Sequence, residues 1–234
     1  MGSNAVASWG GRNEPAWAPS VKHNACVKPP KLVPCREIAR DAAIVSAGYA
    51  LFETAIGTCA IAWSPRGVVG VTLPAASPAQ TRALARQRYA DVEESAPPST
   101  VRHAIDEIVS LLSGGGNNLR DIELDLAGVP EFNLRAYDIA RAIPPGEVLT
   151  YGDIAKRLGD VALSRAVGQA MGSNPIPIII PCHRVMAAGH KTGGFSAPGG
   201  LTTKMEMLTI ERAKVGSAPT LFDDLPLAAK PQRR

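Results

Sequence analysis

Apolar and polar positions divide the chain into stretches of different period. Residues 1 to about 48 show no sustained period and are rich in Pro, Ala, Gly and Ser, so a mostly disordered leader is expected there. Trp9 and Trp17 lie in it without an amphipathic partner, and residues 36–45 have room for a helical turn or two. Order is expected from near Tyr49. Residues 58–63 and 68–73 are β-type runs, and Ser64-Pro65-Arg66-Gly67 between them is a turn sequence. Ser77-Pro78-Ala79-Gln80 reads as a capping box with proline at the first helical position, which predicts a helix to about Tyr89. Ser99 or Thr100 is placed to cap a second helix, with Val101, Ile105, Ile108 and Leu112 on one face and Gly114-Gly115-Gly116 ending it. Ile122, Leu124 and Leu126 alternate with acids and predict one more strand.

A second unit is expected from Gly128. Phe132, Ala136, Ile139, Ala140 and Ile143 have helical spacing, closed by Pro144-Pro145-Gly146. Thr150-Tyr151-Gly152-Asp153 is another capping box, predicting a short helix to Leu158. A turn at Gly159-Asp160 leads to a third helix over about 163–171, and this pair has a helix-turn-helix pattern. Ala166, Gly168 and Ala170 are small, which suits close approach by a flat partner or by another helix. Prolines at 175, 177 and 181 forbid a helix, so 174–185 is expected to be extended, apolar and buried, with Cys182 near its end. A Gly-rich loop over 189–200 precedes a last helix over about 202–213, with Met205, Leu208 and Ile210 as its apolar positions. The domain plan is thus a leader (1–48), a β-rich domain (49–127), a helical domain (128–215) and a flexible tail (216–234).

Composition adds exclusions. Of 234 residues, 45% are apolar and 20% charged, ordinary for a globular protein. No apolar run approaches the roughly 18 residues that span a bilayer. The start lacks the basic and apolar blocks of a secretory signal, so a cytoplasmic protein is expected. The four cysteines, Cys26, Cys35, Cys59 and Cys182, form no CxxC pair, which argues against a disulfide framework or structural zinc. Cys59 reads as a small buried apolar residue and His103 as a surface one. Residues 121–150 carry six acids and two bases, whereas 151–214 carry eight bases and four acids. A polyanionic partner suits the second stretch, as does a simply solvated surface.

Pro181-Cys182-His183-Arg184-Val185 resembles the active-site signature of the O6-alkylguanine-DNA alkyltransferases. The flanking segments do so in the same order: Thr150 to Ala155, Ser164-Arg165-Ala166-Val167-Gly168, Gly172-Ser173-Asn174-Pro175, Gly194-Phe195-Ser196 with Gly200-Leu201, and Lys204 to Glu211. The match covers about 128–214 and, more loosely, 49–126. Phe195 stands where many relatives have Tyr, Ala197-Pro198 adds loop length, and the zinc ligands of some animal members have no counterparts. The resemblance implies an α+β fold: a small β-rich N-terminal domain of ribonuclease H-like character and a helical C-terminal domain with a winged, helix-turn-helix-like DNA-binding motif.

The implied activity is one irreversible transfer, per molecule, of an alkyl group from O6-alkylguanine, and from O4-alkylthymine, to Cys182. No cofactor and no metal are implied. His183, oriented by Glu211, would take the thiol proton through a water, and Tyr151 would serve guanine N3. Met171, Asn174, Phe195, the Ser196 N–H and the carbonyls of Cys182 and Val185 would hold the base. Arg165 would fill the stack left by the flipped nucleotide, and Ser164, Ala166 and Gly168 would line the minor groove of double-stranded DNA. A monomer with no membrane partner is expected. A non-catalytic alkylguanine sensor shares the fold but lacks the cysteine. A cysteine hydrolase would need an oxyanion hole, and a transcription regulator would not need the segment after the helix pair. Residues 221–227 are apolar among acids, either a docking peptide or a tail folded back on the body.

Overall fold

In the computed structural model the turn sequence at 64–67 joins the two strands it was expected to join. The structure describes residues 48–188 and 194–214. The leader, with Cys26 and Cys35, residues 189–193 of the Gly-rich loop and the tail from 215, with residues 221–227, lie outside the described residues. β2 (Gly57–Ser64) and β3 (Gly67–Thr72) are antiparallel, with Ser64 opposite Gly67. Gly67 has φ +138°, and a Cβ there would sit 2.6 Å from the Glu123 carbonyl oxygen, so only glycine fits the turn. β1 (Gly48–Thr54), which periodicity did not predict, pairs along the other side of β2 from Gly48↔Trp63 to Thr54↔Gly57.

The sheet is covered on both faces. Val69 is an extra residue in β3 between the pairs Ala62↔Gly70 and Trp63↔Val68. This bulge turns Val68 and Val71 toward one core and leaves Val69 on the opposite face. There it joins Tyr49, Ala60 and Ala62 beneath α1 (Pro78–Arg88), which contributes Ala85 and the following Tyr89. Ser77 caps α1 by accepting from the Gln80 N–H at 3.3 Å. α2 (Ser99–Leu112) buries Val101, Ala104, Ile108, Leu111 and Leu112 in the main core. Its expected cap is corrected: Pro98 takes that position without a side-chain bond, and Ser99 is already helical. The strand expected around Leu124 reduces to one bridge, Val68↔Leu124. Its neighbour Asp125 explains the break. That carboxylate accepts from the Ser64 hydroxyl at 2.6 Å and from Arg66, tying the chain to the hairpin turn instead of prolonging a ladder.

The second half is helical: α3 (Glu131–Arg141), α4 (Tyr151–Arg157), α5 (Ser164–Gly172) and α6 (Gly200–Ile210). The Thr150 capping box is complete. Its hydroxyl accepts from the Asp153 N–H at 3.1 Å, and the Asp153 carboxylate accepts from the Thr150 N–H at 3.0 Å. A 3₁₀ turn, Val161–Leu163, capped by Asp160, links α4 to α5. β4 (Leu149–Thr150) pairs in parallel with β5 (Val185–Met186). That short ladder brings the start of α4, with Tyr151, to the segment that carries Cys182. One core cluster runs from Ala50 to Met207 through both halves. Among the described residues no helix is long and apolar enough to cross a membrane.

Candidate active site

Asn174 shapes the approach to the cysteine. Its Oδ1 accepts from the Ile176 N–H at 2.9 Å and its Nδ2 donates to the Ile180 carbonyl at 2.8 Å. The expected extended run is here a tight turn, closed by Ile180 N–H on the Ile176 carbonyl at 2.9 Å. Ile178 is driven to φ +75°, a costly conformation for a β-branched residue. The prolines exclude helix, as read, but the two Asn174 bonds favour a turn over a strand. The next residues also depart from extension, because Cys182–Arg184 is a 3₁₀ turn. At three residues per turn, successive side chains point about 120° apart. Cys182 therefore faces outward while His183 faces in.

Cys182 opens on a cleft of about 1370 Å³ that is also lined by Tyr151, Gly168, Met171, Asn174, Phe195 and Ser196. Ser196 donates its hydroxyl to the Gly172 carbonyl at 3.1 Å, pinning the loop to the end of α5. Behind the cysteine lies a buried ionic cluster. His183 Nε2 is 2.9 Å from Glu211 Oε1. Arg184 donates from Nε and Nη2 to the two Glu211 oxygens, both at 2.8 Å, and from Nη1 to the Ile143 carbonyl at 2.6 Å. Lys204, fully buried, donates from Nζ to the Val185 carbonyl at 2.6 Å.

Burial and charge set the protonation states. Burial raises the Glu211 pKa, but the bonds and charges of His183 and Arg184 outweigh it and hold the carboxyl at about 2. Burial, with the charges of Arg184 and Lys204, lowers the His183 pKa against the opposing pull of Glu211, so the ring is neutral near pH 7. An ionised carboxylate can only accept, so the proton of neutral His183 sits on Nε2. Nδ1 is then a free lone pair, and it has no hydrogen-bond partner among the described residues. Burial also pushes the Cys182 thiol up, opposed by the Asn174 side chain and the Lys204 charge. Lys204 itself is lowered to about 8, chiefly by burial. Burial and the nearby Cys182 raise Tyr151, which stays a phenol.

The helix-turn-helix pattern is present as α4, the 3₁₀ turn and α5. Arg165 is exposed, and a Cβ on Gly168 would meet nothing within 4 Å, so that part of α5 faces open space. Ala170 instead packs into the core, and its carbonyl accepts from the Tyr137 hydroxyl at 2.9 Å. Ser164 spends its hydroxyl on the Val161 carbonyl, and Ala166 is half-buried. Val185 is buried away from the cleft lining, with one carbonyl lone pair taken by Lys204. The buried face of α6 is Lys204, Met207 and Leu208, not the expected Met205, Leu208 and Ile210. Sequence reasoning gave Arg184 and Lys204 no role. Lys204 was findable: it stands three, four and seven residues before Met207, Leu208 and Glu211, on the face that must be buried.

Comparison with known proteins bears on the family of the chain. A family model described as 6-O-methylguanine DNA methyltransferase, DNA binding domain, matches residues 131–213. The methylated-DNA–protein-cysteine methyltransferase of Mycolicibacterium paratuberculosis is 40% identical over 126 residues, 54% of this chain and 74% of the relative. The chain belongs to the methylated-DNA–protein-cysteine methyltransferase family. A member from Methanosarcina acetivorans is 33% identical, over 70% of this chain and 97% of its own length. Among solved structures, Mycobacterium tuberculosis OGT in complex with DNA superposes with TM-score 0.57 at 30% identity, covering 71% of this chain and 93% of that one. O6-methylguanine-DNA methyltransferase from Pyrococcus kodakaraensis gives TM-score 0.56 at 29% identity, covering 70% and 98%. Members of the family share the strands-then-helices architecture seen here. Among the described residues no group of three or more His, Cys, Asp or Glu is placed to hold a metal ion.

Proposed function

We propose that this methyltransferase repairs DNA by moving the alkyl group of O6-alkylguanine onto Cys182, once per molecule. The observation that carries the reading is the pairing of an outward cysteine with a buried base behind it: Cys182 lines the cleft, and His183 presents an unpaired Nδ1 while Glu211 holds Nε2. Burial keeps the thiol protonated at rest. Its proton passes through a water to Nδ1, and the thiolate attacks the alkyl carbon in line with O6. The S–C bond forms as the C–O6 bond breaks, and the electron pair stays on guanine. Tyr151, a phenol in the cleft wall, gives N3 its proton. Among the described residues none is placed to remove the alkyl group from the product thioether, so the protein is consumed.

The base is held by Met171, Asn174, Phe195 and the Ser196 N–H, with the Cys182 carbonyl toward the exocyclic amine. Reaching the cleft requires the nucleotide to leave its duplex, at a cost of a few kcal/mol. Exposed Arg165 takes the vacated place, and the open face of α5 at Gly168 lies in the minor groove. The protein acts as a monomer in the cytoplasm.

The test is to incubate the protein with a duplex carrying one O6-methylguanine and weigh it intact. One methyl gained, mapped to Cys182, supports the reading. Tight binding without mass gain makes the protein a damage sensor, and neither result leaves the cysteine-hydrolase and regulator readings.

Lys204 supplies a finer check. Its charge favours the Cys182 thiolate. Lys204→Met keeps the stem but not the charge. Loss of that charge leaves less thiolate at fixed pH, so slower single-turnover transfer is expected at pH 7. Equal single-turnover rates for the two proteins would remove Lys204 from the reaction.

A further inference from the structure

On the cleft wall away from Cys182, Val71 and Arg88 join the sheet and its covering helix to the cysteine turn. Pro175, which lines the cleft, accepts at its carbonyl from two directions. The Val71 N–H of β3 donates at 3.1 Å and Arg88 Nη2 at 2.9 Å. Arg88 Nη1 also donates to the Val71 carbonyl at 3.1 Å, so one guanidinium spans the edge of β3 and the Asn174 turn. Arg88 is the last residue of α1, and its guanidinium carbon sits 5.6 Å over the ring of Tyr89. A basic residue ending a helix is ordinarily placed for the helix dipole. That role needs no bond to a segment 87 positions away, yet Arg88 makes one.

We infer that Arg88 is a positioning residue for alkyl transfer, holding the Pro175 carbonyl and through it the Asn174 turn that presents Cys182. The turn needs outside support. Ile178 sits at φ +75°, a conformation that relaxes unless its surroundings enforce it. Asn174 enforces it from within, and its neighbour Pro175 has no N–H, leaving the carbonyl as its one backbone handle. Without Arg88 the Val71 N–H holds that carbonyl alone, so Asn174 shifts against the Ile180 carbonyl and the thiol loses its fixed line of attack. Misplacement of a reacting group by even 1 Å costs up to about 100-fold in rate, so a remote bond is able to matter. The sheet-bearing half thereby sets the speed of chemistry done in the helical half.

The inference rests on the alkyl-transfer reading, and the experiment separates the two. Single-turnover transfer from an O6-methylguanine duplex is followed over a range of DNA concentrations for the unaltered protein, Arg88→Met and Arg88→Lys. The amplitude reports the folded, competent fraction; the limiting rate constant reports how the thiol is presented. Arg88→Met keeps the stem over Tyr89 and removes the donors. It is expected to retain amplitude and half-saturating DNA concentration while the limiting rate falls about tenfold, the size of one lost charge-assisted bond. Arg88→Lys, with a single ammonium able to reach Pro175, is expected to recover part of that loss, and it carries the test if the methionine variant does not fold. A fall in amplitude alone makes Arg88 merely structural. A raised half-saturating concentration at unchanged limiting rate makes it a DNA phosphate contact. Either result, or unchanged kinetics, overturns the inference. Absence of transfer in the unaltered protein overturns the function itself.

Discussion

Cys182→Ser is expected to bind O6-methylguanine duplex as tightly as the parent and to take up no methyl group. The exchange removes one sulfur and changes little else. Cys182 is 7% exposed, and its N–H donates to the Ile180 carbonyl at 2.8 Å, a backbone bond that serine keeps. The cleft walls and the exposed Arg165 are untouched, so affinity is retained. The chemistry is not. Displacement at an alkyl carbon needs a soft, ionisable nucleophile, and neutral His183 is a base matched to a thiol rather than to the far weaker acid of a serine hydroxyl. Burial opposes ionisation of either group. Intact mass after incubation decides the point, with a fluorescence or gel titration for affinity. A methyl still gained by the serine protein would place the acceptor elsewhere. Cys59 is a poor alternative on geometry: it is wholly buried in β2 and absent from the cleft lining, and burial pushes its thiol to about 12.

What the sequence discloses is local. The turn at 64–67, the Ser77 cap, which forms without the return bond of a full capping box, and the complete box at Thr150 concern residues a few positions apart, whose side chains decide their own backbone, and elements stand where they predict. Cys182 and its neighbours were visible as a contiguous motif. The rest depends on partners far along the chain. β1 is a strand because β2 is there to pair with it; Tyr49 and Phe52 face two different cores, so its residues show no clean alternation. The turn at Ile178 depends on one asparagine reaching six residues ahead. Prolines show where a helix cannot form, and extension and turn both satisfy them. Arg184 and Lys204 were missed because long charged side chains are normally exposed. Arg184 is interior only because Glu211, 27 positions on, neutralises it.

Glu211→Gln is expected to cost both stability and transfer, and a companion variant shows that the two losses have separate causes. The Glu211 carboxyl, ordinarily near 4.5, is held at about 2 in the fold. Each unit is worth 1.36 kcal/mol, so its ionisation contributes about 3 kcal/mol at neutral pH. A depressed pKa gives stability present above the unfolded value, so this part fades as pH falls from about 4.5 toward about 2. The glutamine leaves Arg184 buried without a counter-charge, a defect of about 3–5 kcal/mol. For a chain of this size that is a fall in Tm of roughly 10 °C. Transfer suffers for another reason. An amide turns about its bond and offers either oxygen or nitrogen, so His183 loses the group that fixes its proton on Nε2 and keeps Nδ1 basic. Losing a positioned general base costs about 100-fold or more. Replacing the ion pair by packing, as Arg184→Met with Glu211→Leu, removes both charges together and is expected to recover much of the Tm. It returns nothing to His183, so transfer stays slow. Thermal unfolding and single-turnover rates on the three proteins settle the matter. Transfer that recovers with Tm in the double variant would make the Glu211–His183 bond a structural feature and leave the cysteine without its base.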